Sequence, residues 1–250
     1  MNQTPFQNLL EKIQQNFNKS GAIEFEPMTG PPSIMYPVNP GSNLLQNALL
    51  NDPKYKNVSL ANFLTIEKST GKQNQTKIQA KAILKNYFNQ ELKFGYPNYQ
   101  IKGCGITIIG AEGLGKTHLL ISLARHFIKH ETRLKTFIVK FSDIWQYKPA
   151  EIDYIITRLT NVKRLMLDDF LRGVLPYDRM KRGQEIDYPF QIFRLIDAFY
   201  TRKQRLFISC NYTIDQIGEF LGPEYGPFVT GRLLEMNRMP VVIEGESWRS

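Results

Sequence analysis

Gly110-Ala111-Glu112-Gly113-Leu114-Gly115-Lys116-Thr117 spells G-x-x-x-x-G-K-[ST] with every fixed position filled. Glycines at these places let a backbone curl around a phosphate, so that successive N–H groups and the positive end of the next helix face its oxygens. Lys116 adds a point charge toward the β- and γ-phosphates, and Thr117 supplies a hydroxyl for a magnesium ion, Mg2+, bound to them. With His118 next in line, residues 110–118 are the expected contacts of a bound nucleoside triphosphate, read as ATP. The flanks agree with a strand–loop–helix unit. Ile106, Thr107, Ile108 and Ile109 make a β-branched run suited to a buried parallel strand, and Leu119, Leu120, Leu123, Ala124, Phe127 and Ile128 form an apolar helical stripe behind the loop.

The rest of the chain repeats that alternation. Phe137, Ile138 and Val139 read as a second strand; Pro149 opens a helix carrying Ile152, Ile155, Ile156 and Leu159 on one face. Leu165, Met166 and Leu167 form a third strand ending in Asp168 and Asp169. A helix through Phe190, Phe193, Ile196, Phe199 and Tyr200 leads to a fourth, Leu206, Phe207 and Ile208, ending at Asn211. Strands alternating with helices predict an α/β fold with a parallel sheet sandwiched by helices. The 250 residues, 42% of them hydrophobic, are enough for one such domain and a smaller appendage.

That appendage is expected at residues 1–57. Phe6, Leu9, Leu10, Ile13 and Phe17 fall on one face of an amphipathic helix, a surface for its own core or for a partner. Pro27, Pro31, Pro32, Pro37, Pro40 and Pro53 then mark a linker, before a folded domain at 58–250 whose first helix carries Ala80, Ile83, Leu84, Tyr87 and Phe88. No apolar run approaches the ~20 residues that span a bilayer, and Met1 to Pro5 does not read as a secretory signal, so a cytoplasmic protein with no membrane partner is expected. Cys104 and Cys210 are the only cysteines and sit beside buried strands, as reduced structural thiols would. His118, His126 and His130 share a helix, where packing explains them better than a metal does.

Ligands of open parallel sheets bind at the carboxyl ends of the strands, which singles out the phosphate loop, the acid pair and Asn211. Asp168 fits a carboxylate that holds magnesium with Thr117; Asp169 is placed to orient or deprotonate an attacking water, and Asn211 to hydrogen-bond the γ-phosphate or that water. The formal charge of +9 favours polyanions. Arg172, Arg179, Lys181 and Arg182 lie in a stretch broken by Gly173, Pro176 and Gly183, and are the expected contacts to single-stranded DNA phosphates.

GCGITIIGAEGLGKTHLL, LMLDDF, FISCNYTIDQI, TGRLLEM and GESWR, in this order, resemble the DnaC/DnaI helicase-loader and IstB group of AAA+ ATPases over roughly residues 58–250. The resemblance implies a P-loop ATPase that loads or remodels a replicative helicase on single-stranded DNA and self-associates through its ATP site into a ring or spiral. It implies further that Arg232 is an arginine finger reaching a neighbour's ATP and Arg249 a sensor 2 arginine acting within the subunit. An IstB-like transposition ATPase on duplex DNA and a nucleotide-regulated adaptor with negligible hydrolysis are the alternatives. Many such ATPases carry Glu where Asp169 stands, one methylene longer, although loaders of the DnaI kind share the Asp-Asp pair. The amino-terminal region lacks the cysteine zinc cluster of some loaders.

Overall fold

A computed structural model describes Leu50 and residues 52–94, 105–130, 136–179, 186–237 and 240–248. The expected amphipathic segment at 6–17, Cys104, Lys181, Arg182 and Arg249 lie outside the described residues. The elements are α1 (Gln75–Phe94), β1 (Ile106–Gly110), α2 (Lys116–His130), β2 (Thr136–Lys140), α3 (Phe141–Ile144), α4 (Pro149–Leu159), β3 (Arg164–Phe170), α5 (Tyr188–Thr201), β4 (Arg205–Cys210), α6 (Ile214–Asn237) and β5 (Val241–Ile243). Short 3-10 turns occupy Pro53–Tyr55 and Tyr177–Arg179.

Local chemistry accounts for the helix starts. Asn74 Oδ1 accepts the Lys77 N–H at 2.9 Å and begins α1, and Asp187 accepts the Phe190 N–H at 3.0 Å and begins α5. Before α6, Thr213 and Gln216 exchange reciprocal side-chain bonds to each other's N–H, at 3.2 and 2.9 Å. Pro149 occupies the first turn of α4, where its missing N–H costs nothing. Helix α6 is two helices joined at Gly222, whose φ of 78° and the following Pro223 break the hydrogen-bond ladder.

All five strands are parallel, in the order β2-β3-β4-β1-β5. Strand alternation sends Leu165, Leu167, Leu206 and Ile208 to one face, against α4, α5 and α6, and Met166, Phe207, Ile106 and Ile108 to the other, against α1 and α2. Both faces are therefore covered, as the α/β expectation requires. The edge strand β5 was not anticipated, and β3 runs three residues past its expected end at Leu167, through both acids to Phe170. Residues 52–57, grouped with the linker in the sequence, are tied to the domain: Arg125 Nη2 donates to the Tyr55 carbonyl at 2.7 Å. No helix among the described residues is long and apolar enough to cross a membrane.

Candidate functional site

Strand order positions the site. Because β4 lies between β1 and β3, the loop leaving β1 and the acids ending β3 flank the end of β4. Gly113 and Gly115 adopt φ of 81° and 92°, the left-handed region where a side chain is penalised. Close packing excludes a Cβ as well: at Gly113 it would sit 1.9 Å from Ser247 Oγ, and at Gly115 2.7 Å from the Phe63 ring. The loop is clamped on one side by the C-terminal strap, where the Trp248 N–H donates to the Gly113 carbonyl at 3.3 Å, and on the other by Phe63. An open cleft of about 530 Å³, lined by Lys68, Ser69, Glu246 and Ser247, adjoins that strap.

Lys116 is buried, and its Nζ donates to the Ala111 carbonyl at 2.7 Å, folded onto the loop whose phosphate it would serve. Thr117 Oγ1 lies 2.9 and 3.1 Å from the two carboxylate oxygens of Asp168. Residues 51 positions apart thus present a hydroxyl and a carboxylate side by side, a hard oxygen pair suited to a divalent cation. Burial pushes the Asp168 carboxyl above its ordinary value, and the neighbouring charge of Asp169 acts in the same sense. Hydrogen bonds from Ser209 and Thr117, and the charge of Lys116, pull the other way. A desolvated carboxylate of this kind gains most from a cation, so these residues fit Mg2+.

Ser209 was not singled out in the sequence. It is fully buried on β4, donates from Oγ to Asp168 Oδ1 at 2.6 Å and accepts the Asp169 N–H at 3.0 Å. The register explains this: Leu167 pairs with Ile208 and Phe170 with Cys210, so both acids stand opposite Ser209 in a bulge. Asp169 takes a φ of 53° there. The available signal was a lone hydroxyl within the apolar run Leu206-Phe207-Ile208-Ser209-Cys210, two residues before Asn211.

The other expected residues fall as follows. Asn211 is exposed immediately after β4, at the carboxyl edge of the sheet. The His118 side chain departs from expectation: its Nε2 lies 2.8 Å from the Ser59 carbonyl and its ring packs edge-on against Phe63. Arg172 also departs. Instead of being left to DNA phosphates, its Nη1 donates to Asp169 Oδ2 at 3.1 Å, three residues back on β3, and to Glu112 Oε1 at 2.9 Å, on the loop after β1. Arg179 is exposed at the end of its 3-10 turn, whose Tyr177 packs against Gly222.

Arg232 lies on α6, with Nη2 2.8 Å from Asp197 Oδ1 and its guanidinium 4.8 Å from the centre of the Phe193 ring. It is thus held against α5, and any contact to a neighbouring subunit has to compete with that pair. His126 stacks on Phe88 with ring centres 3.9 Å apart, a packing role. Cys210 is a free, buried thiol whose pKa burial pushes up to about 12, which keeps it protonated and inert.

No family model matches the sequence, and no curated protein matches it. Solved structures do. The DnaC helicase loader is 20% identical with a TM-score of 0.54, the match covering 76% of this chain and 99% of that one. DnaI is 16% identical with a TM-score of 0.52, covering 72% of this chain and 90% of that one. A candidate primosome component from Streptococcus pyogenes serotype M3 is 19% identical with a TM-score of 0.50, covering 78% and 91%. Strand order and these matches agree: the chain has the α/β fold of the DnaC helicase loader and DnaI, with the glycine-rich loop after β1 and the paired acids of β3 at the carboxyl edge of its sheet.

Proposed function

We infer that this chain binds and hydrolyses ATP and uses that cycle to load or remodel a replicative helicase on single-stranded DNA. The observation that carries the reading is the Thr117–Asp168 contact beside a glycine-rich loop whose Gly113 and Gly115 take left-handed backbone. Thr117 Oγ1 and Asp168 would hold Mg2+, which when bound neutralises charge on the phosphate oxygens. Lys116 exchanges the Ala111 carbonyl for the β- and γ-phosphates. Asp169, fixed through its backbone by Ser209, takes the proton of the attacking water, and Asn211 orients that water or the γ-phosphate. Arg232 of a neighbouring subunit completes the site in a ring or spiral, leaving Asp197 to do so, and Arg249 acts from within the subunit. Residues 1–20 grip the helicase, and Arg179, Lys181 and Arg182 meet the DNA backbone. Likeness of motifs and fold to a solved helicase loader supports this choice of partner.

Negligible hydrolysis remains the second reading, favoured by one observation: Asp169 is ion-paired to Arg172. Affinity capture with ATP present tests the whole proposal, using the intact chain and a version lacking residues 1–20. Recovery of a hexameric helicase by the intact chain alone, with preference for single-stranded DNA, is expected. Recovery of a transposase with duplex preference would instead support the IstB-like alternative, and absent ATP turnover with or without DNA would support the adaptor.

A further inference from the structure

The segment after β3 is more rigidly built than its basic composition suggests. Phe170 and Leu171 are both buried, and the Arg172 N–H closes a turn onto the Asp169 carbonyl at 3.0 Å. Asp169, Leu171 and Gly173 have φ of 53°, 68° and 87°. Left-handed backbone at two residues other than glycine persists only where the surroundings enforce it. Gly173 is also pressed onto Ser142, where a Cβ would lie 3.1 Å from the Ser142 Cβ. Arg172 therefore springs from an anchored turn, and its side chain crosses from the acid strand to the phosphate loop at Glu112.

Charge balance gives that crossing a purpose. Glu112, Asp168 and Asp169 bring three carboxylates to a pocket meant for a polyanion, and Lys116 alone does not offset them. Arg172 sits between two of the three, about half exposed, with one nitrogen shared by both acids. A guanidinium has five N–H donors in a planar fork and keeps its charge, so phosphate oxygens entering beside Asp169 present it with a stronger partner than either side chain.

We propose that Arg172 is a γ-phosphate-reading arginine supplied by the same chain: it pairs with Asp169 and Glu112 when the pocket lacks nucleotide and turns to the terminal phosphate of a bound nucleoside triphosphate. The transfer releases Asp169 only when a triphosphate is present, so the acid that meets water is uncovered by the substrate itself. This rests on the phosphate-loop reading above. A nucleoside diphosphate, lacking the terminal group, leaves the Asp169–Arg172 pair in place.

Equilibrium titration of fluorescent ATP and ADP analogues into wild type, Arg172→Ala, Arg172→Lys and Lys116→Ala separates the possibilities, with retention of a single-stranded oligonucleotide measured in parallel. Arg172→Ala is expected to weaken the triphosphate about tenfold or more while changing the diphosphate less than twofold. Arg172→Lys should recover part of the loss. Equal loss for both nucleotides, or loss confined to DNA retention, overturns the proposal and returns Arg172 to the DNA surface. If wild type and Lys116→Ala bind alike, the phosphate-loop reading itself fails and takes the proposal with it. Arg172 is half exposed, so its replacement leaves the core intact; circular dichroism of each variant verifies that.

Discussion

Replacing Ser209 with alanine removes one hydroxyl that serves both acids. Its donation to the Asp168 carboxylate, at 2.6 Å in a fully buried position, belongs to the charged class worth about 1.5–3 kcal/mol. Its acceptance of the Asp169 N–H, at 3.0 Å, leaves a donor unsatisfied when lost, at a cost of about 1–3 kcal/mol. Part of this is recovered, since Asp169 with φ of 53° is freed to relax from a left-handed conformation worth about 1 kcal/mol of strain. Thr117 also remains on Asp168. A net loss of about 2–4 kcal/mol follows, or about 4–16 °C in Tm for a domain of this size. Urea unfolding of wild type, Ser209→Ala and Ser209→Thr measures it directly. Threonine keeps the hydroxyl and should fall between the other two, limited by the space for its methyl group. ATP turnover should drop further than nucleotide affinity, because Lys116 and the loop glycines are untouched. A Ser209→Ala protein within about 0.5 kcal/mol of wild type, the range of ordinary surface substitutions, and with normal turnover, would refute the bulge geometry on which the acid pair depends.

Gly113→Ala forces a Cβ into the Ser247 side chain at a φ of 81°, so it should abolish nucleotide binding and displace the C-terminal strap, read as a change in tryptophan fluorescence from Trp248; an unchanged spectrum and affinity would show the strap is not clamped there. His126 titrates at about 4 instead of 6.5, chiefly through burial and then through the charges of His130, Arg164 and Lys129. Lowering the pKa of a base means the unfolded chain binds the extra proton first, so this stabilisation is present above pH 6.5 and is lost as pH falls from there toward about 4. His126→Phe keeps the stack on Phe88 and should flatten that part of the urea-midpoint profile; an unaltered slope would assign it to other groups. Arg232→Ala should suppress hydrolysis while sparing nucleotide affinity, and mixing it with Lys116→Ala should restore turnover, since each supplies what the other lacks; no recovery would confine Arg232 to its packing against Asp197 and Phe193.

The positions of the glycine-rich loop after β1, of the acids on β3 and of Asn211 after β4 were legible because each is a local pattern: a glycine spacing, an apolar run, and a polar residue where the run ends. Ser209 was not, since its partners stand 40 and 41 positions away and only the β3–β4 register brings them together. Strand β5 escaped because three residues, Val241 to Ile243, are too short to carry periodicity, and its existence depends on pairing with β1. Arg172 reads in sequence as one of four basic residues expected to meet DNA phosphates; its pairing with Asp169 and Glu112 follows from the left-handed turn at Asp169 and Leu171, which composition does not encode. His118 followed the motif in sequence but not in space, because a helix turns each successive side chain by about 100° and carries the imidazole to Ser59.

What occupies the space between the glycine-rich loop and the acids decides whether this chain is an ATPase. A crystal grown with a non-hydrolysable ATP analogue and Mn2+, whose anomalous signal locates the metal, measures this. The metal is expected within coordinating distance of Thr117 Oγ1, with Asp168 bound to it directly or through water, and the phosphates against the N–H groups of residues 113–117. Density for nucleotide elsewhere, or a loop without phosphates at saturating analogue, would contradict it.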